Sequence, residues 1–478
     1  MSDRNSLLDT VVDRTLGNLR SLRSAWRDIA AQARGAIGGA PRPDLSREDT
    51  GRLRRQLRDC LEARGGAVSS RARAAELGRT YLALNGTGRE RFLKLLATEF
   101  DIDHGAVAAL GERLVRADDD GERRKAEREL RAALEPPRIK LLTHFNALPE
   151  GVKFLVDMRA ELIRLGAQDA VLSGLERDLK ALLASWFDVG FLELRRITWE
   201  APAALLEKLI VYEAVHEIRS WTDLKNRLEA DRRCFAYFHP RMPQEPLIFV
   251  EVALVKGMSD NVQSLLDESA PVADPAEADT AIFYSISNCQ RGLAGISLGD
   301  FLIKRVVDSL AAELPHLKTY ATLSPIPGFR AWLDKCIPEE GEALLTPAER
   351  KTMQQLLPRD LATQGIGDLL GRPRWYAEEP VAQALKPALL RLAARYLLTE
   401  KTPRGRALDP VAHFHLTNGA RMERLNWLAD LSPKGVQQSA GIMINYLYRL
   451  AEIESNHEAY NGEGQVAASN GLARQVKT

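Results

Sequence analysis

Apolar residues recur at one spacing through the first 188 positions and at another beyond them. Leu172, Leu175, Leu179 and Leu182 return every three or four residues, as do Leu7, Leu8, Val11, Val12 and Leu16 near the start. That period belongs to helices with one apolar face. The pattern breaks at the Gly- and Pro-rich residues 38–43, at 118–121 (Asp-Asp-Asp-Gly) and at the proline pair 136–137. No β-rich run intervenes, so residues 1–188 predict an all-helical bundle with short connections. From 189 onward short apolar runs predict strands near 191–199, 234–238, 247–254, 281–286, 320–323, 411–416 and 442–448. Helical spacing lies between them at 202–218, 221–228 and 298–310, and in an insert at about 329–400. The near-continuous apolar run at 247–254 predicts a strand buried on both faces. The whole chain is therefore α+β: a helical domain over 1–188, then a mixed α/β domain over 189–478.

Composition narrows what such a chain can do. Its 478 residues carry 66 Lys and Arg against 65 Asp and Glu, a formal net charge of +1. That balance argues against a nucleic-acid partner, and the arginines of the first third are interleaved with acids, as on solvated helix faces. Cys60, Cys234, Cys289 and Cys336 are scattered without a CxxC, so neither a zinc site nor a disulfide framework is expected. A reduced, cytoplasmic setting fits. No apolar run reaches the roughly 18 residues of a membrane span. The opening residues carry Asp3 and Asp9 and no apolar signal core, and the final residues are no peroxisomal signal.

The candidate chemistry begins at Gln290-Arg-Gly-Leu-Ala-Gly-Ile-Ser-Leu-Gly-Asp300. Gly292, Gly295 and Gly299 follow an apolar strand and open an amphipathic helix. Glycines let a backbone approach a phosphate closely, and a helix start offers free N–H groups to it. The turn resembles the coenzyme A pyrophosphate loop of the acetyltransferase (GNAT-like) fold, although that fold spaces its Gln/Arg and glycines differently. The same stretch contains Gly295-Ile-Ser297-Leu-Gly299, a match to the nucleophile elbow of serine hydrolases. No His-Gly-Gly-Gly oxyanion segment accompanies it. Ser297 is thus read as a loop serine or, in the competing reading, as a nucleophile.

Further segments are Leu323-Ser-Pro-Ile-Pro-Gly-Phe329, His413-Phe-His-Leu-Thr-Asn-Gly-Ala420, His239-Pro-Arg-Met-Pro243 and Asn445-Tyr-Leu-Tyr448. Together with the glycine turn they resemble the malonyl-CoA decarboxylase family, in that family's order, over most of residues 186–460. The resemblance implies a helical N-terminal domain, a GNAT-like catalytic domain, and conversion of malonyl-CoA to acetyl-CoA and carbon dioxide. It also implies no cofactor or metal, and self-association as a homo-oligomer, usually a tetramer.

Such a reaction needs donors for the enolate oxygen and an acid for the α-carbon. The family's catalytic histidine matches His415 and its catalytic serine matches Ser324. On pattern alone His415 is equally a buried histidine bonded to backbone, and Ser324 an N-cap for the helix near 329. Residues Ala294, Gly295, Ile296, Ser297, Leu298, Gly299 and Asp300 are the candidates for the coenzyme diphosphate. Tyr446 and Asn445 are candidates for other substrate contacts. His413, one pleat from His415 in a strand, is read as structural. Glu251 lies inside an apolar strand and needs a partner, either an active-site group or a core arginine. Arg241 is read as a phosphate contact or a surface residue. Competing functions are acyl transfer from coenzyme A to an amine, serine hydrolysis, and a non-catalytic coenzyme A-binding scaffold.

Overall fold

The structure is a computed structural model that describes residues 26–27, 29, 41–62, 66–167, 169–187, 189–296, 298, 302–358, 361 and 365–476. The helix expected from Leu7 to Leu16 lies outside the described residues, as do Ser297, Gly299 and Asp300. Two compact units are present. The first takes in the described residues of Met1–Leu192, Phe238–Pro246 and Gln290–Leu298; the second takes in those of Glu193–Tyr237, Leu247–Cys289 and Gly299–Thr478.

The first unit is helical. Its helices are α1 (Arg47–Leu61), α2 (Gly66–Ala83), α3 (Gly86–Glu99), α4 (His104–Val115), α5 (Asp120–Ala133), α6 (Pro137–Asn146), α7 (Gly151–Gly166) and α8 (Ala170–Trp186). Short polar side chains begin five of them: Ser46, Asn85, Asp103, Asp119 and Asp169 each accept an amide hydrogen bond in the first turn. The breaks at 118–121 and 136–137 fall at the starts of α5 and α6. On α8 the buried leucines are 172, 175, 179 and 183, with Leu182 only half-buried. Trp26, Tyr81, Phe92, Phe145 and Phe154 form an aromatic nucleus with edge-on and tilted contacts.

An eight-stranded sheet follows, built from β1 (Glu193–Ile197), β2 (Arg232–His239), β3 (Met242–Val255), β4 (Thr280–Asn288), β5 (Thr319–Thr322), β6 (Ser324–Pro325), β7 (Arg421–Asn426) and β8 (Met443–Leu447). Their order is β1-β2-β3-β4-β5-β8-β6, with β7 on β8. Strands β4 and β5 run parallel, connected through helix α9 (Leu302–Glu313). Strand β8 is antiparallel to β5, β6 and β7. The β4–β5 ladder stops at Phe283 opposite Thr322, whereas β3–β4 pairing continues to Ile248 opposite Asn288. The sheet therefore opens beside β6, where Pro325 has no amide to offer. One face buries Ala253, Ile282, Ala321, Leu323 and Met443. Alternation along the strands turns Phe283, Thr322, Ser324, Tyr446 and Tyr448 to the other.

Two expectations are corrected and one strand is added. The helix expected over 202–218 is Ala203–Tyr212; Glu213 then accepts the amides of Val215 and His216, at 2.7 Å each, and ends it. The strand expected over 411–416 is instead a helix, α10 (Pro410–Thr417). Asp409 accepts from the amides of Val411 and Ala412, and Pro410 occupies the first helical position, so the local ends outweigh the apolar alternation. Strand β7 was not expected at all. The insert over 329–400 is helical, with Phe329–Glu340, Pro347–Leu356, Ile366–Gly371 and Glu379–Leu398. No helix among the described residues is long and apolar enough to cross a membrane.

Candidate active site

One carboxylate organises the second unit's site. Asp409 uses one oxygen to cap α10 (2.9 and 3.0 Å) and the other to accept from the Gly328 amide at 3.2 Å and from Tyr396 Oη at 3.4 Å. The segment Ser324–Phe329 is thereby tied to the start of the helix that carries His415. Gly328 permits this, because a Cβ there would stand 2.1 Å from Tyr396 Oη.

Ser324 and His415, ninety-one residues apart, meet: Ser324 Oγ lies 3.0 Å from His415 Nε2. Ser324 also donates to Thr322 Oγ1 at 2.8 Å, and that same oxygen accepts the Tyr446 amide at 3.1 Å. His415 Nδ1 is 2.8 Å from Tyr448 Oη. The Tyr446 ring stacks on the imidazole, 4.4 Å between centroids and 25° between planes. Ser324 is 5% exposed and His415 2%. Burial pushes the imidazole down to about 3, and no carboxylate contributes to offset it. Burial also holds the Tyr446 and Tyr448 phenols well above their ordinary range. The centre is neutral at pH 7. Tyr446 Oη is buried and has no hydrogen-bond partner among the described residues, which leaves a donor beside the imidazole.

Asn445, expected among the substrate contacts, is committed to the fold. Its Nδ2 donates to the carbonyls of Thr322 (2.7 Å) and Ser259 (3.0 Å), and its Oδ1 accepts from Asn426 (2.8 Å). His413 does not share a face with His415, because two positions on a helix point nearly opposite ways. It bonds Tyr460 Oη at 2.8 Å. Glu251 takes the second of its two expected partners: Arg227 reaches it at 3.0 Å while also pairing with Asp223 at 2.8 Å. Thr322, Tyr448 and Asp409 were not singled out from sequence. The Asp-Pro pair before 411 was a helix-start signal, and the period of two in Tyr446-Leu447-Tyr448 put both tyrosines on one face.

The glycine turn belongs to the first unit, and its glycines serve a use not expected. A Cβ on Gly292 would stand 1.8 Å from the Val156 carbonyl oxygen, so that glycine admits the backbone of α7. Gly295 takes a φ of +69°, a left-handed conformation that favours glycine. Arg159, 2% exposed, donates to the carbonyls of Gly292 and Ala294 (2.9 Å to the latter) and pairs with Glu176. Ala294 and Gly295 are exposed, and Ile296 and Leu298 are buried. Lys180 Nζ lies 3.3 Å from where a Cβ on Gly295 would stand. Arg241 donates to the Asn146 carbonyl, and His239 Nε2 meets the Trp186 carbonyl at 3.1 Å.

A buried hydroxyl–imidazole pair lies at the opening of a mixed sheet, beside a phenol with no hydrogen-bond partner among the described residues, an arrangement able to move protons. The chain matches the malonyl-CoA decarboxylase C-terminal domain over residues 190–478 and the N-terminal domain of the same family over residues 100–187. It is 40% identical over 416 residues to the mitochondrial malonyl-CoA decarboxylase of Anser anser anser, covering 83% of this chain and 82% of that protein. The crystal structure of malonyl-CoA decarboxylase from Rhodopseudomonas palustris superposes with a TM-score of 0.81 at 42% identity, over 89% of this chain and 99% of the other. That from Agrobacterium vitis gives 0.79 at 43% identity, over 89% and 99%. The chain belongs to the malonyl-CoA decarboxylase family.

Proposed function

We propose that the protein converts malonyl-CoA to acetyl-CoA and carbon dioxide by means of Ser324, His415 and Tyr446. Membership of the family carries the reaction. The observation that supports these residues is the 3.0 Å approach of Ser324 Oγ to His415 Nε2 in a buried, uncharged setting.

The bond between the α-carbon and the carboxylate breaks, and its electron pair becomes an enolate on the thioester. A negative charge on the departing carboxylate gains little from a neutral, buried centre, so its loss is favoured there. Tyr446 Oη, which has no hydrogen-bond partner among the described residues, is the donor available to the enolate oxygen. Ser324 and His415 then return a proton to the α-carbon. The turn at Ala294, Gly295, Ile296, Ser297, Leu298, Gly299 and Asp300 holds the coenzyme diphosphate through backbone N–H groups. Arg159 holds the Ala294 carbonyl, and Lys180 Nζ lies close to Gly295, which places positive charge beside the start of that turn.

The domain over 189–478 is read as acetyltransferase-like, a reading the sheet opening and the glycine turn support. The helical domain over 1–188 is read as the tetramerisation element. Val115, Leu134, Ile163 and Val171, all exposed, support that reading, and light scattering showing only monomer at micromolar concentration would sink it. Four free, buried cysteines support a reducing, cytoplasmic setting.

The test is a decarboxylation assay with no acyl acceptor present. Purified protein should release carbon dioxide and acetyl-CoA. His415→Ala, Ser324→Ala and Tyr446→Phe should each lower kcat by roughly a hundredfold or more with the circular dichroism spectrum retained. Full turnover in the first two variants would remove the pair from the mechanism.

A further inference from the structure

The hydrogen bonds around His415 have a direction. Ser324 has one proton, and the geometry sends it to Thr322 Oγ1 at 2.8 Å. Thr322 Oγ1 also takes the Tyr446 amide at 3.1 Å, so both of its acceptor positions are filled. With its own proton spent, Ser324 Oγ meets His415 Nε2 at 3.0 Å as an acceptor, and Nε2 must therefore carry a hydrogen. The imidazole is neutral, so Nδ1 is bare. Nδ1 lies 2.8 Å from Tyr448 Oη, whose hydroxyl has no other partner among the described residues and is itself buried.

We propose that Tyr448 is a positioning residue that locks His415 in the Nε2–H tautomer and is the proton source behind it. The proposal rests on the decarboxylase reading of the site and adds where its proton comes from. No carboxylate holds His415 as an imidazolium. A neutral imidazole that gives up Nε2–H must gain a proton at Nδ1 in the same step, or become an imidazolate. Tyr448 supplies it. The enolate electron pair forms a C–H bond with the Ser324 hydroxyl proton. Ser324 takes the Nε2 proton, Nδ1 takes the Tyr448 proton, and the negative charge ends on the Tyr448 oxygen, which regains a proton before the next turnover. The same tautomer prevents His415 from acting as a base toward Ser324, so the pair is not poised for nucleophilic attack by the serine.

Two measurements test this. Protein labelled with ¹⁵N-histidine, its His415 signals identified by their loss in His415→Ala, should show a protonated Nε2 and a bare Nδ1 without substrate. Tyr448→Phe keeps the ring and removes the hydroxyl. It should lower kcat at least tenfold with KM within twofold, and the His415 tautomer signature should become mixed or switch. A wild-type spectrum with Nδ1 protonated overturns the proposal, as does a folded Tyr448→Phe protein with unchanged kcat. The wild-type spectrum needs neither a variant nor turnover. Misfolding of Tyr448→Phe therefore leaves the proposal testable, and failure of the decarboxylation assay would be seen separately.

Discussion

At His415 the chemistry follows from burial rather than from a charged neighbour. An imidazole in water titrates near 6.5, and this one is held down to about 3 because desolvation penalises its cation. The sign follows directly. Protonation below pH 6.5 is open to the unfolded chain and refused by the folded one. Stability is thus complete above pH 6.5 and falls as pH drops toward 3, by at most about 1.4 kcal/mol per pH unit. His415→Gln removes the titrating group. Denaturant unfolding at pH 7 and pH 5 should show the wild type losing up to about 2 kcal/mol more than this variant between the two. Equal losses would mean that the imidazole is solvated in the folded state. Gln should not restore turnover, because an amide cannot pass a proton through two nitrogens.

Strand, helix and turn were legible in the sequence where one signal dominated. The near-continuous apolar run of 247–254 pointed to β3, and the strand–turn–helix order at 281–310 to β4, the glycine turn and α9. Legibility failed where local ends competed with period. Val411-Ala-His-Phe-His-Leu alternates like a strand, but Asp409 and Pro410 start a helix whose last turn carries His415. Strand β7 was hidden because a register shift between Met422 and Arg424 breaks its period of two, and Arg421, Glu423 and Arg424 mask its apolar face. The glycine turn was legible as an element but not in its reasons. Gly292 faces a helix backbone, which no local pattern encodes, and Arg159 fixes two of the turn's carbonyls from a position 133 residues away from the nearer of them. Gly292→Ala must therefore displace the turn from α7, at a cost of about 1–3 kcal/mol. Arg159→Met should free the Gly292 and Ala294 carbonyls and leave Glu176 without its partner. If the turn seats the coenzyme, both variants should raise KM for malonyl-CoA at least fivefold and change kcat less. A fall in kcat alone, with KM unchanged, would mean that the turn does not hold the substrate.

Across the molecule, the sheet domain is secured by buried charge, in a cluster that the Ser324–His415 centre does not share. Arg227 is buried between Asp223 (2.8 Å) and Glu251 (3.0 Å), and it also donates to the carbonyls of His216 (2.9 Å) and Glu217 (3.1 Å). Its five N–H groups suit such a fork, which lysine could not fill. Burial leaves Glu251 raised to about 7 even with Arg227 beside it pulling the other way, so the carboxylate depends on its cation. Glu251 sits at the register shift between β3 and β4, and Arg227 follows the short helix Trp221–Asn226, so the cluster pins that helix to the sheet. A buried pair is weak grounds for net stability, but breaking it from one side is costly. Arg227→Met keeps the aliphatic volume and abandons two carboxylates and two carbonyls. It should lower unfolding free energy by about 3–5 kcal/mol, measured by denaturant titration at pH 7. Adding Glu251→Gln should recover part of that loss, because it removes one of the stranded charges. If the double variant were no more stable than the single one, the cost would lie in packing and the carbonyls, and the ion pair would not be what fastens the helix to the sheet.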